Sequence, residues 1–123
     1  MRYILLIYQN TEAWNGFSQE DRDVFMHAAG DIVAELSASG EWVGGEGLAA
    51  ASQARSTRVR DGVVTVTDGP FLEAKEYLGG FYLIDCENKE RAIELAARIP
   101  DAAIGGLGVE VRQVMFADGQ LEA

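Results

Sequence analysis

Apolar and polar positions alternate in a way that divides the chain into short elements. Residues 2–9 are rich in Ile, Leu and Tyr and stop at Asn10-Thr11, which predicts a buried strand. A loop holding Trp14, Gly16 and Phe17 follows. Ser18 then stands ahead of Glu20, Asp21 and Asp23, a capping residue and acids suited to the positive end of a helix. Phe25, Ala28, Ala29, Ile32 and Leu36 recur at helical spacing as one stripe, and Gly40 closes it. A short strand over 41–47 and a loop over 48–54 come next.

The strongest local signal lies around Asp61-Gly62, a two-residue hairpin turn between Thr57–Arg60 and Val63–Thr67. Counting outward pairs Arg60 with Val63, Val59 with Val64, Arg58 with Thr65 and Thr57 with Val66. Val59, Val64, Val66 and Asp68 then share one face. Asp68-Gly69-Pro70 makes a second turn, and residues 71–78 read as an irregular or one-turn helical segment. Gly79–Cys86 predicts a strand. Asn88 caps a helix that Pro100 stops, and after a glycine-rich turn Val109–Val114 is the last strand.

Without the hairpin this order is βαββαβ. The predicted fold is α+β, a ferredoxin-like unit with an inserted β-hairpin, both helices on one sheet face. The other face needs a cover, and a second copy supplies one, so a homodimer is expected.

Length and composition narrow the picture. The 123 residues suit a single domain spanning 1–123. Charged residues are 24% and hydrophobic ones 48%, which argues against disorder. Net charge is −10, so a nucleic-acid backbone or an anionic membrane is not an expected partner. The apolar start ends by Gln9, too short for a leader or for the ~20 residues of a membrane span, and a cytoplasmic protein is expected.

Candidate chemistry is sparse. Asp68 ends an apolar strand face, where a carboxylate can act as a base; it also suits a turn role before Gly-Pro. His27, the one histidine, falls nearly opposite the apolar stripe and is a candidate proton-transfer residue only if substrate reaches that side. Glu73 and Lys75 could line a cleft after the turn. Tyr8 and Arg112 share the open-face parity, which allows a cavity lined by Tyr8, Arg112 and Asp68; Arg112 and Glu110 equally suit a polar pair at a dimer interface. One histidine and one cysteine offer no metal-ligand spacing, and neither glycine-rich run opens a helix after a strand. No metal or cofactor is expected. Cys86, between Asp85 and Glu87, is a poor nucleophile.

Asp68-Gly69-Pro70-Phe71, with Glu73, Lys75-Glu76 and Gly79-Gly80-Phe81-Tyr82 behind it, resembles the DGPF-domain branch of the YCII-related proteins. Residues 1–8, 44–48, 97–100 and 109–114 carry the resemblance over nearly the whole chain. It implies a dimeric α+β barrel and a branch often encoded near extracytoplasmic-function sigma factors. The wider family includes an enzyme of chlorinated-aromatic breakdown and is associated with a His–Asp pair. This chain departs there: register from Gly40 places the helix histidine near Ala29, and Asp68 is the acidic counterpart available. Two functions follow as expectations. One is a small dimeric protein that binds or transforms a small organic ligand, aromatic or lactone-like, near Asp68. The other is a non-enzymatic interaction or regulatory module tied to sigma-factor systems.

Overall fold

The computed structural model describes residues 1–72, 74–103 and 107–121. The first strand, β1 (Arg2–Gln9), is followed by a five-residue helix, α1 (Thr11–Asn15), where a loop was expected. Asn10 makes the difference: its side chain accepts the backbone N–H groups of Glu12 and Ala13, at 2.9 and 3.2 Å. The long helix α2 (Gln19–Ser39) starts on a capping box, Ser18 Oγ accepting from Asp21 N and Asp21 Oδ2 accepting from Ser18 N, each at 3.1 Å. It ends at Gly40 with φ +82°, a left-handed cap that a glycine adopts without a Cβ penalty.

Strand β2 (Trp42–Gly47) leads through a single 3-10 turn to β3 (Arg55–Arg60) and β4 (Val63–Asp68). The turn at Asp61 and Gly62 has both residues at positive φ, and the register is the one counted from the sequence, extended to Arg55 opposite Asp68. Among the described residues of 71–78 no helix forms; 71–72 and 75–76 are bends, and the last two residues already belong to β5 (Tyr77–Asp85). Helix α3 (Lys89–Ala97) is capped by Asn88, which accepts from Arg91 N at 2.9 Å, and Pro100 opens a 3-10 turn over Pro100–Ala103. Part of the predicted glycine-rich turn lies outside the described residues. Strand β6 (Gly108–Gln113) and a small hairpin of β7 (Phe116–Ala117) and β8 (Gln120–Leu121), which the pattern did not predict, complete the chain.

Four strands form one antiparallel sheet in the order β2-β5-β1-β6, and β3 and β4 form a separate two-stranded ribbon. The odd residues of β1, Tyr3, Leu5 and Ile7, join Ile32 and Leu36 of α2, Ile84 of β5, and Ala92, Leu95 and Ala96 of α3 in the core. Val109 and Val111 pack against it from β6. Both longer helices therefore cover the same face. The even residues Ile4 and Leu6 lie opposite Leu83 and Phe81, and these four side chains occupy the other face. All four are only partly buried.

The ribbon stands apart from that core. Val59, Val63, Val64 and Val66 each remain about 60% exposed (63, 63, 62 and 60%). An isolated two-stranded ribbon is marginal in water, so this arm depends on what packs beside it.

Candidate functional site

The turn after β4 is where the ribbon meets the sheet. Gly69 at φ +94° reverses the chain, and its N–H reaches Ala54 O at 2.8 Å while its carbonyl accepts from Ser56 Oγ at 2.8 Å. These bonds hold Pro70 over the end of the sheet. Pro70, Leu72 and Glu76 then form a cavity of about 380 Å³ with Tyr8, Tyr77 and Leu78. A second cavity of about 340 Å³ shares Pro70, Tyr77 and Leu78 and continues toward the loop over 48–54. Each is within the range of small-molecule sites, which begins near ~300 Å³. Tyr77 is steadied by Thr11 Oγ1, which donates to its hydroxyl at 3.2 Å. The α1 helix thus reaches the site through Tyr77 without lining either cavity.

The predicted site residues separate in this structure. Tyr8 reaches the cavity. Asp68 does not line it: its side chain is 90% exposed, and its Oδ1 lies 3.1 Å from Arg55 Nε across the ribbon. An apolar setting for Asp68 is therefore absent in the single chain, because the valine face it shares is itself open to solvent. Lys75 is exposed in the bend. Glu73 lies outside the described residues. Arg112 is on the open sheet face but opposite Ile4, whereas Tyr8 lies opposite Gly108, about 13 Å away along the strand. Arg112 Nε donates to Glu110 Oε2 at 2.6 Å, so these two form a polar pair on that face. His27 is exposed on α2, its Nδ1 3.2 Å from Asp23 O, and touches neither cavity.

A third cavity, of about 190 Å³, lies on the opposite side of the sheet beneath α2. Phe25, Met26 and Ala29 border it from the helix, Ile7 and Gln9 from β1, and Tyr82 and Asp101 from below. Asp101 is 3% exposed, and burial pushes its carboxyl above the ordinary carboxylate range; its own backbone N–H and the Gln9 side chain pull the other way to a lesser degree. Burial, and then the Asp101 charge, push the Tyr82 phenol up. Sequence reasoning missed Asp101 because an acid just after a helix-stopping proline reads as surface. Cys86 has its thiol pushed up as expected, but the leading cause is burial in the core rather than Asp85 and Glu87.

Among the described residues no group of three or more His, Cys, Asp or Glu could hold a metal ion, and no helix is long and apolar enough to cross a membrane.

The YCII-related domain model matches residues 1–116. The chain belongs to the YCII-related family. A protein of Rhizobium meliloti (strain 1021), described as uncharacterized, is 30% identical over 122 residues, covering 98% of both chains. The YCII-related match spans every element that builds the three cavities, from β1 through β6.

Proposed function

We propose that this YCII-related protein is a cytoplasmic homodimer that binds, and in the fuller reading transforms, a small organic molecule of aromatic or lactone-like character in the cleft between Tyr8 and the Pro70 loop. The carrying observation is that cleft: about 380 Å³, walled by Tyr8, Tyr77, Leu78 and Leu72, with Glu76 as the acidic group at its edge. Strand order β2-β5-β1-β6 with both longer helices on one face supports a ferredoxin-like protomer in which the β3–β4 ribbon is the insertion. The Asp68-Gly69-Pro70-Phe71 turn supports membership of the DGPF branch.

Dimerisation is supported by two uncovered apolar surfaces on one chain. One is the sheet face of Ile4, Leu6, Phe81 and Leu83; the other is the ribbon face of Val59, Val64 and Val66. A second copy over both would also enclose the cleft and cover Asp68, turning an exposed carboxylate into a base or anchor at a dry interface. Titration of the full chain with coumarin, an aromatic lactone, should shift the amide resonances of Tyr8, Tyr77 and Leu78, and Asp68→Ala should weaken that binding. Coumarin that leaves those amides unmoved at millimolar concentration removes the ligand reading.

The exposed valines favour one other reading, a regulatory module whose ribbon engages a different protein, such as a component of a sigma-factor system. Recovery of a stoichiometric protein partner by a chain that stays monomeric alone would select it.

A further inference from the structure

We propose that the cavity beneath α2 is a second, separate binding site, which takes a small organic ammonium ion with its charged end on Asp101. Three observations carry this. Asp101 is 97% buried, from its exposure of 3%, and its Oδ2 has no hydrogen-bond partner among the described residues. Such an acceptor is rare in a folded protein, because leaving it unmade costs free energy that water or a ligand would recover. Next, that carboxyl borders a 190 Å³ cavity in which Phe25, Met26, Ala29 and Ile99 form an apolar side and Gln9, Glu46 and Tyr82 are the other polar residues. An apolar cavity of roughly 150 Å³ already accepts a benzene ring, so one ring-sized group fits here.

The third observation is charge. No basic side chain borders the cavity among the described residues, so the buried carboxyl lacks the cation that a buried acid ordinarily pairs with. A ligand ammonium supplies three donors and a compensating charge at that oxygen. Its apolar end would lie against Phe25 and Met26. A neutral alcohol of the same shape could donate one hydrogen bond but could not neutralise the carboxylate. The cavity lies on the helix-covered face, whereas the Tyr8 cleft lies at the Pro70 loop, so the two sites stand or fall independently.

The test is an amide-resolved NMR titration of the full-length chain at neutral pH with benzylammonium and with benzyl alcohol. Benzylammonium should shift Ala29, Gly79 and Asp101 and bind at least tenfold more tightly than the alcohol. Asp101→Asn should abolish that preference, and Ala29→Leu, which leaves the carboxyl in place and fills the cavity, should block the ammonium. Equal affinity for the two probes, binding of neither (a cavity that holds water only), or full ammonium binding by Ala29→Leu would each overturn the proposal. Should Asp101→Asn fail to fold, the comparison of probes on the native chain and the Ala29→Leu variant still decide it.

Discussion

Gln9 lies so close over Gly79 that a Cβ on the glycine would come within 2.5 Å of the glutamine side chain. The register of β1 on β5 shifts at this point, from Ile7 opposite Gly80 to Tyr8 opposite Leu78, leaving Gly79 as the extra residue. Alternation along β1 puts Gln9 on the helix side, at the cavity that Asp101 borders, while its neighbour Tyr8 lines the cleft at the Pro70 loop. Two neighbouring residues of β1 thereby border two cavities at the same end of the sheet.

The adjacent glycines should respond differently to alanine. At Gly80 a Cβ would meet the Glu46 backbone carbonyl at 2.7 Å, which cannot step aside, so Gly80→Ala should cost about 1–3 kcal/mol in denaturant unfolding. At Gly79 the obstacle is the flexible end of Gln9, so Gly79→Ala should cost less than ~1 kcal/mol but swing the amide away. Its signature is a higher Asp101 titration midpoint by carbon-13 NMR, because the Gln9 contribution that lowers it is gone.

Asp101 should make folding less favourable as pH rises. Its folded carboxyl titrates above the reference 3.8, so ionisation is harder in the native state and stability falls as pH climbs from there through the folded value, then levels off. Tyr82 on β5, Gln9 on β1 and Glu46 on β2 are the polar residues that border the same cavity. Asp101→Asn should raise Tm at pH 7, and the gain should vanish below about pH 3.8. A variant less stable than the native chain at pH 7 contradicts this.

Glu41 should act with the opposite sign. Arg91 Nε and Nη2 donate to its two oxygens at 3.0 and 2.9 Å, tying the start of β2 to α3, and this pairing holds its carboxyl below the reference 4.5. Its stabilisation is therefore complete above 4.5 and is lost as pH falls through the lower folded value. Glu41→Gln should cost about 1 kcal/mol at pH 7 and nothing at pH 2, read from thermal unfolding across that range.

A charge on the ribbon should separate folding from assembly. Val64 is 62% exposed and outside the core, so Val64→Asp should leave the unfolding free energy of the monomer within ~0.5 kcal/mol. Light scattering at micromolar concentration should show a dimer for the native chain and a monomer for the variant. A native chain that is already monomeric contradicts the dimer.

The helix caps at Ser18, Gly40 and Asn88 and the pairing around Asp61-Gly62 were legible because each rests on contacts within a few residues. The α1 helix was not read, although its Asn10 cap is just as local: five residues are too short to show a helical period, and its Trp14 packs on Phe25 (centroids 5.7 Å) of the next helix. Strand parity made legible the open-face position from which Tyr8 borders the cleft. Asp68 was placed by the same parity, but parity names a face and says nothing of what covers it.

Local chemistry in the chain thus determined the order of β1 to β6 and the two longer helices, the hairpin register, the inward stripe of α2 and the alternation of β1. Where cavities lie, and which carboxyl is buried, depended on distant segments meeting. Asp101 is buried because a turn after α3 folds under α2, ninety-two residues beyond Gln9 in the chain. Hydrogen-bonding and steric preferences act over a few residues and can be read along the chain. Burial is a sum over every neighbour in space, and the neighbours of Asp101 are assembled only when β1, β5, α2 and the Pro100 turn pack together.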